Sequence, residues 1–388
     1  MAACTHSLVI IGGGIVGAAC ALALARAGRR PWLIEARTPG TGATAEGMGH
    51  LLALDHDPAT LALTRRSLEL WHALAPELPA AAEWSGAGTL WLALNEAQLE
   101  AARARLPALR EVGLEAELVG PQRLRALEPC VSPELRGALR VAEDRIVYPP
   151  VVAAWMLARA QALGATLLTG VAVDRLEHAP GEPARLHLAD GRELVSERVV
   201  LAAGLASATL LGAHPLAKAL RPRRGHLVIT ERAPFELDHQ LVELGYHDSV
   251  ATRGETSVAF NLQPRASGQL LLGSSRQDGS AEREVEPEVL ARMVERSRLF
   301  VPGLAGQAAL RAWVGLRPAT PDGLALIGPL APGSPLILAC GHEGLGITTS
   351  VATAELVLAA LGGPRARLEG ARAFDPSRVF AQGAHHAA

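Results

Sequence analysis

Apolar residues follow two rhythms along this chain. Short unbroken runs, Leu8 to Ile11, Pro31 to Ile34, Val199 to Ala202 and Leu336 to Ala339, predict strands buried on both faces. Longer stretches rich in Ala and Leu predict helices over Ile15 to Ala27, Leu61 to Ala75, Ala97 to Val112, Pro150 to Leu163 and Ile347 to Leu361. Gly28 suits the left-handed position that ends the first helix. Proline at the start of the Pro150 helix removes an N–H that has no helical partner anyway. Leu8 to Ile34 is therefore a complete βαβ unit. Weaker alternation predicts strands over Gly88 to Leu94, Thr166 to Leu176 and Leu186 to Leu188, with Asp190-Gly191 as a hairpin turn. His226 to Thr230, Ser257 to Leu262 and Gln269 to Leu272 predict an antiparallel sheet. Parallel signals at both ends and antiparallel signals between them imply an α/β chain of two interleaved domains. A Rossmann-like domain is expected from 1–85, 142–213 and 308–388, and an antiparallel-sheet α+β domain from 86–141 and 214–307.

The first strand runs into Gly12-Gly13-Gly14-Ile15-Val16-Gly17. Gly12, Gly14 and Gly17 fill the G-x-G-x-x-G pattern: a tight turn, an open approach for a pyrophosphate, and close packing of helix on strand. The helix start then offers unpaired N–H groups and positive dipole to the phosphates. The next strand ends in Glu35, near the spacing of about 20 residues that sets a carboxylate on the adenosine ribose. A carboxylate there disfavours a ribose 2′-phosphate, since like charges repel. The fingerprint by itself does not separate FAD from NAD.

Charge and cysteine content narrow the function. The formal net charge is −2, so no global basic field invites nucleic acid. No apolar run reaches the ~20 residues of a membrane-spanning helix, and no signal-peptide layout precedes the first strand. The four cysteines are scattered without a CxxC pair, which argues against a disulfide framework, a metal site or an iron–sulfur centre. A reducing cytoplasm is the expected setting, with peripheral attachment to the inner face of the membrane left open.

Further segments, in order, resemble the D-amino-acid oxidase superfamily in its glycine oxidase and sarcosine oxidase branch. They are Arg37 to His50, with Gly42-Ala43-Thr44-Ala45 and Gly47-Met48; Val199 to Gly204; Trp313 to Pro318, continuing through Asp322-Gly323 to Gly328; and Gly341 to Ile347. The likeness spans about Leu8 to Leu361. Within the branch, Ala45-Glu46-Gly47-Met48-Gly49-His50, Arg223-Arg224-Gly225-His226, Gly273 to Gln277 and His342-Glu343-Gly344-Leu345-Gly346 are most similar to D-hydroxyproline dehydrogenases. Hydrogen cyanide synthase subunits and proline dehydrogenase β-subunits are neighbours.

The resemblance implies a domain of the glutathione reductase type holding non-covalent FAD. It assigns cofactor contacts to Gly12, Gly14, Ile15, Val16, Gly17, Glu35, Ala36, Arg37, Gly42, Ala43, Thr44, Gly47, Met48, Val173, Ala203 and Gly204. Gly344, Leu345, Gly346, Ile347 and Thr348 complete the set, the backbone N–H groups of the first four facing the flavin pyrimidine from a helix start. Arg317 stands where relatives grip the substrate carboxylate, a task suited to a planar guanidinium. A lone histidine is more often a structural residue than a catalyst. His50, His226 and His342 are candidates because motif segments hold them, and His342 is carried into the site. Relatives place substrate-facing residues, including a tyrosine, on the middle sheet. Asn261 stands near that tyrosine's place, and Tyr246 is the alternative aromatic. Asn261 and Gln263 alternate and so face one side. The implied reaction is hydride transfer from the α-carbon of a small cyclic or secondary amino acid, such as cis-4-hydroxy-D-proline, giving an imine. A glycine- or sarcosine-type oxidase making peroxide is the alternative. The electron acceptor is oxygen, a quinone or a partner redox subunit, so a hetero-oligomer stays open.

Overall fold

The computed structural model describes residues 5–53, 57–246 and 256–379. Its centre is a six-stranded sheet in the order Leu326–Pro329, Leu336–Cys340, Val199–Leu201, Val9–Ile11, Trp32–Glu35, Thr166–Thr169. All neighbours are parallel except the first pair. The Val9–Ile11 and Val199–Leu201 strands are buried throughout, as their unbroken apolar runs require. The helix Ile15–Arg26 packs between Pro149–Ala162 and Gly346–Ala360. Its contact faces carry Ala18, Ala19 and Ala21, small enough for close helix approach. A four-stranded sheet, Thr5–His6, Glu193–Ser196, Ala184–Leu188, Val173–Glu177, flanks the first. Asp190 and Gly191 turn its Ala184–Glu193 hairpin, and Gly191 takes the left-handed φ of 84°.

The third sheet has eight strands: Ala309–Ala319, Arg221–Arg232, Gln269–Asp278, Ser257–Pro264, Gln240–Glu243, Thr89–Ala93, Gly137–Val141, Ala116–Val119. Only Gln240–Glu243 with Thr89–Ala93 is a parallel pair. This sheet departs from the sequence expectation in extent. Arg221–Arg232 and Gln269–Asp278 run well beyond His226 to Thr230 and Gln269 to Leu272, and Gln240–Glu243, Gly137–Val141 and Ala116–Val119 were not expected. Ala309–Ala319, not expected as a strand and falling in the 308–388 stretch assigned to the Rossmann-like domain, is the edge strand here, paired residue for residue with Arg221–Arg232 from Arg221↔Ala319 to Ile229↔Arg311.

The strand expected over Thr166 to Leu176 is two strands in two sheets. Gly170, with φ of 77°, breaks it, since that left-handed backbone cannot continue a strand. The Pro58–Leu74 helix starts earlier than expected, because the Asp57 carboxylate accepts the Thr60 N–H at 2.8 Å and Pro58 opens the first turn.

Candidate active site

At Gly12 the chain turns with φ of 107°, and a Cβ there would lie 2.5 Å from the Ala202 carbonyl oxygen. A Cβ on Gly17 would lie 1.9 Å from the Gly12 carbonyl oxygen. Only glycine lets strand and helix meet this closely. Ala18 N–H, bonded to the Gly14 carbonyl at 2.9 Å, closes the first turn, so the preceding N–H groups lie outside the helical ladder. The Thr44 hydroxyl accepts the Ile15 N–H at 3.0 Å and pins the following loop against this helix end. Glu35 accepts the Gly13 N–H at 2.6 Å on one oxygen and the Arg37 N–H at 2.8 Å on the other. Each oxygen keeps lone-pair capacity. Glu35 thus braces the glycine turn and still presents acceptors for ribose hydroxyls.

A cavity of about 580 Å³ runs from this turn to the eight-stranded sheet. Apart from the candidate His226, its wall contains every site residue expected from the sequence except two. Gly17 is absent from the wall; it serves the packing just described. The side chain of Tyr246 lies outside the described residues. The wall also includes Trp91, Val242, Ser274, Arg276 and Glu343. Trp91, Val242, Asn261 and Gly273 are cross-strand partners in one row, so the first three present side chains to the same face.

Arg317 lies in the wall near the end of the edge strand. A Cβ on Gly225 of the neighbouring strand would come 2.5–2.7 Å from its guanidinium atoms, so the group rests on bare backbone. Its Nη1 donates to the Ser275 carbonyl at 3.2 Å. Glu46 stitches the strand to the cofactor-side loop: its carboxylate accepts the Leu316 N–H at 3.2 Å and its carbonyl accepts the Trp313 indole N–H at 3.3 Å.

The histidines divide by environment. His226 is wholly buried and off the wall. Its Nδ1 lies 2.8 Å from the Ser275 hydroxyl and its Nε2 accepts the Glu286 N–H at 3.0 Å, so it braces the backbone that holds Arg317. His342 lines the cavity, but its Nε2 engages the Thr353 hydroxyl at 3.0 Å. Burial lowers its pKa to about 4 and that of His50 to about 3. Both rings are neutral walls at ordinary pH.

At the start of the last helix, the Leu345 N–H donates to the His342 carbonyl at 3.0 Å. Of the N–H groups expected to face the cavity, this one is therefore spent within the turn. The Thr348 hydroxyl donates to the His50 carbonyl at 3.0 Å and ties the helix start to the loop opposite.

Glu343 is a charged residue of the wall that the sequence did not single out. It has φ of 49°, a region few non-glycine residues adopt. Burial alone would raise its carboxyl. Arg276, Arg317 and Arg223, with the Gly344 N–H, outweigh that and hold it at about 2. Its position inside the His342-Glu343-Gly344 motif was visible, and Arg317 was expected in the site; that Arg276, Arg317 and Arg223 converge on Glu343 depends on pairing between distant strands and was not visible.

A glycine turn at a strand-to-helix junction, a carboxylate on the following strand and a long cavity ending on an antiparallel sheet define a dinucleotide-cofactor enzyme. Residues 7–360 match the family model described as "FAD dependent oxidoreductase". The chain belongs to this DAO family. Glycine oxidase of Bacillus licheniformis is 28% identical over 384 residues, covering 96% of this chain and 97% of that protein. A hydrogen cyanide synthase subunit, HcnC, of Pseudomonas aeruginosa is 27% identical, covering 91% of each. The crystal structure of glycine oxidase from Geobacillus kaustophilus superposes with a TM-score of 0.84 at 25% identity, covering 96% of this chain and 99% of that one.

FAD is accordingly the cofactor, and the residues present fit it. The phosphate end is bare backbone that a Cβ would fill, the Glu35 carboxylate stands beside it, and a helix start closes the far end. Among the described residues no helix is long and apolar enough to cross a membrane.

Proposed function

We propose that this enzyme oxidises the carbon–nitrogen bond of a small cyclic or secondary amino acid, such as cis-4-hydroxy-D-proline, to the imine. The observation that carries the reading is Arg317, a guanidinium laid over Gly225 in the wall of the cofactor cavity. It binds the substrate carboxylate through charge-assisted hydrogen bonds, each contributing about 1.5–3 kcal/mol. Asn261 adds an amide on the sheet floor; its Nδ2 donates to the Ser274 hydroxyl at 3.1 Å, which fixes the orientation of the group. Bound FAD supplies the acceptor for two electrons and the α-hydrogen. The chain's part is to hold the α-carbon in place and to exclude water. His50 and His342 stay neutral and no general base is required, because the amine enters unprotonated. Tyr246 is kept as a further substrate contact. The cofactor is held without a covalent bond, and the cofactor and substrate sides correspond to the two interleaved domains.

Anaerobic loss of the visible flavin band with paired D- and L-amino acids tests this. D-prolines should bleach the holoenzyme fastest; bleaching by glycine or sarcosine but not by any D-proline rejects the substrate. Flavin should leave with the supernatant after acid precipitation.

The glycine oxidase likeness supports a second reading, a glycine- or sarcosine-type oxidase. Peroxide formed in step with substrate use distinguishes it. The likeness to a hydrogen cyanide synthase subunit supports transfer to a partner chain or a quinone instead. Turnover with an artificial acceptor but not with oxygen favours that arrangement, either in a hetero-oligomer or at the cytoplasmic membrane face.

A further inference from the structure

The Arg317 end of the cavity gathers charged groups of both signs. Arg223, Arg276 and Arg317 all act on Glu343, and Arg223 also pairs with Asp278. The neighbouring Arg283 pairs with Glu46, and Arg224 with Glu286 and, at 3.9 Å, with Glu282.

Glu343 Oε1 is buried 3.5 Å from Arg276 Nη2 and 3.6 Å from Arg223 Nη1, with no hydrogen-bond partner among the described residues. Glu343 and Arg276 both line the cavity that Arg317 lines. A protein carboxylate therefore stands among arginines in the wall of this cavity.

We propose that Glu343 sets substrate specificity as a built-in second anion, so that the pocket accepts monocarboxylic amino acids and rejects dicarboxylic ones. A second ligand carboxylate here meets a like charge after losing its water, and both effects oppose binding. Removing the Glu343 charge takes away that like charge and favours a second ligand carboxylate beside Arg276. This rests on the amino-acid reading of the site, and the test measures binding rather than turnover so that the two fail separately.

Propionate and succinate are titrated into the FAD-loaded wild type and into Glu343→Gln, Glu343→Asn and Glu343→Asp, following the flavin absorption spectrum. Asn tolerates a left-handed backbone better than most residues, so it supplies a second neutral variant if the Gln form does not fold. The wild type should prefer propionate. Both neutral variants should shift the ratio of dissociation constants toward succinate by about tenfold or more, and Glu343→Asp should keep the wild-type preference. The proposal is overturned if the neutral variants shift the ratio by less than about threefold. It is also overturned if the wild type binds succinate as tightly as propionate, or binds neither. A shifted ratio in an enzyme whose flavin no amino acid reduces would remove the oxidation reading and keep the charge selection.

Discussion

The two ends of the cavity are built from different material. The phosphate end is backbone: Gly12, Gly14 and a helix start, with Glu35 spending one lone pair of each oxygen on neighbouring N–H groups. The opposite end, where we propose the substrate binds, is side chains: Arg317, Arg276, Glu343 and Asn261, carried by three strands of one sheet and the turn before the last helix. A backbone site depends on what is missing from a residue, and any added atom breaks it. A side-chain site depends on charge balance, and it can be retuned by altering one group.

The phosphate end should therefore fail outright. Gly17→Ala puts a Cβ 1.9 Å from a backbone oxygen that cannot yield. The helix must part from its strand, at a cost on the order of 3 kcal/mol or more. We expect protein that is insoluble or colourless. Soluble, fully yellow Gly17→Ala would show that the junction is looser than its geometry. Arg317→Met, at the other end, should keep its FAD and fold while kcat/KM falls by about 10²–10⁴-fold, the loss of two charge-assisted bonds. Unchanged kcat/KM in that variant would remove Arg317 from the site.

Gly225→Ala joins the two kinds of effect, since it is a glycine change at the side-chain end. The new methyl would lie 2.5 Å from Arg317 Nη2, and a flexible side chain can move where backbone cannot. The protein should fold and bind FAD normally, with kcat/KM down by about 10–100-fold through displacement of the guanidinium. Steady-state kinetics on holoenzyme with matched flavin content checks this. A colourless variant would mean that Gly225 serves the fold and not the clamp.

The same contrast explains what the sequence made legible. Glycine spacing, buried apolar runs and the Glu35 position are local, so the βαβ unit and its phosphate turn could be read directly. The family motifs then brought the flavin loops and Arg317. The cluster around Glu343 depends on register between distant segments: Arg223 pairs with Arg317 across 94 positions of chain, and its partner Asp278 lies on a third strand. Nothing local marks those pairings. Strands such as Gln240–Glu243 are short and include charged residues buried by pairing, here Glu243 with Arg296, so their polarity hid them. Gly170 was readable as a glycine, but that it ends one sheet and starts another is a long-range fact.

Asp144 gives the smallest net effect and tests the seam between the two ends. It is fully buried; its Oδ1 accepts the Ala53 N–H at 3.1 Å, on the loop that follows the cofactor side, and its Oδ2 accepts the Thr89 hydroxyl at 2.6 Å, on the eight-stranded sheet. Burial raises its pKa to about 7 from the ordinary 3.8, against the two hydrogen bonds that lower it. A folded pKa above the unfolded one means that its contribution is fully present below about pH 4. That contribution is lost as pH rises through about 7, at no more than about 1.4 kcal/mol per pH unit. Asp144→Asn keeps the shape, loses the titration, and trades a burial penalty against altered hydrogen bonds, so near pH 6 its stability should match wild type to within ~1 kcal/mol. Between about pH 4 and 7 the wild type should lose stability relative to the variant as pH rises. Denaturant unfolding across that range, with kcat/KM measured alongside, checks the slope. Parallel stability curves for the two proteins would mean that the seam carboxylate titrates as it does in the unfolded chain, and that the two ends are not joined through a proton held there.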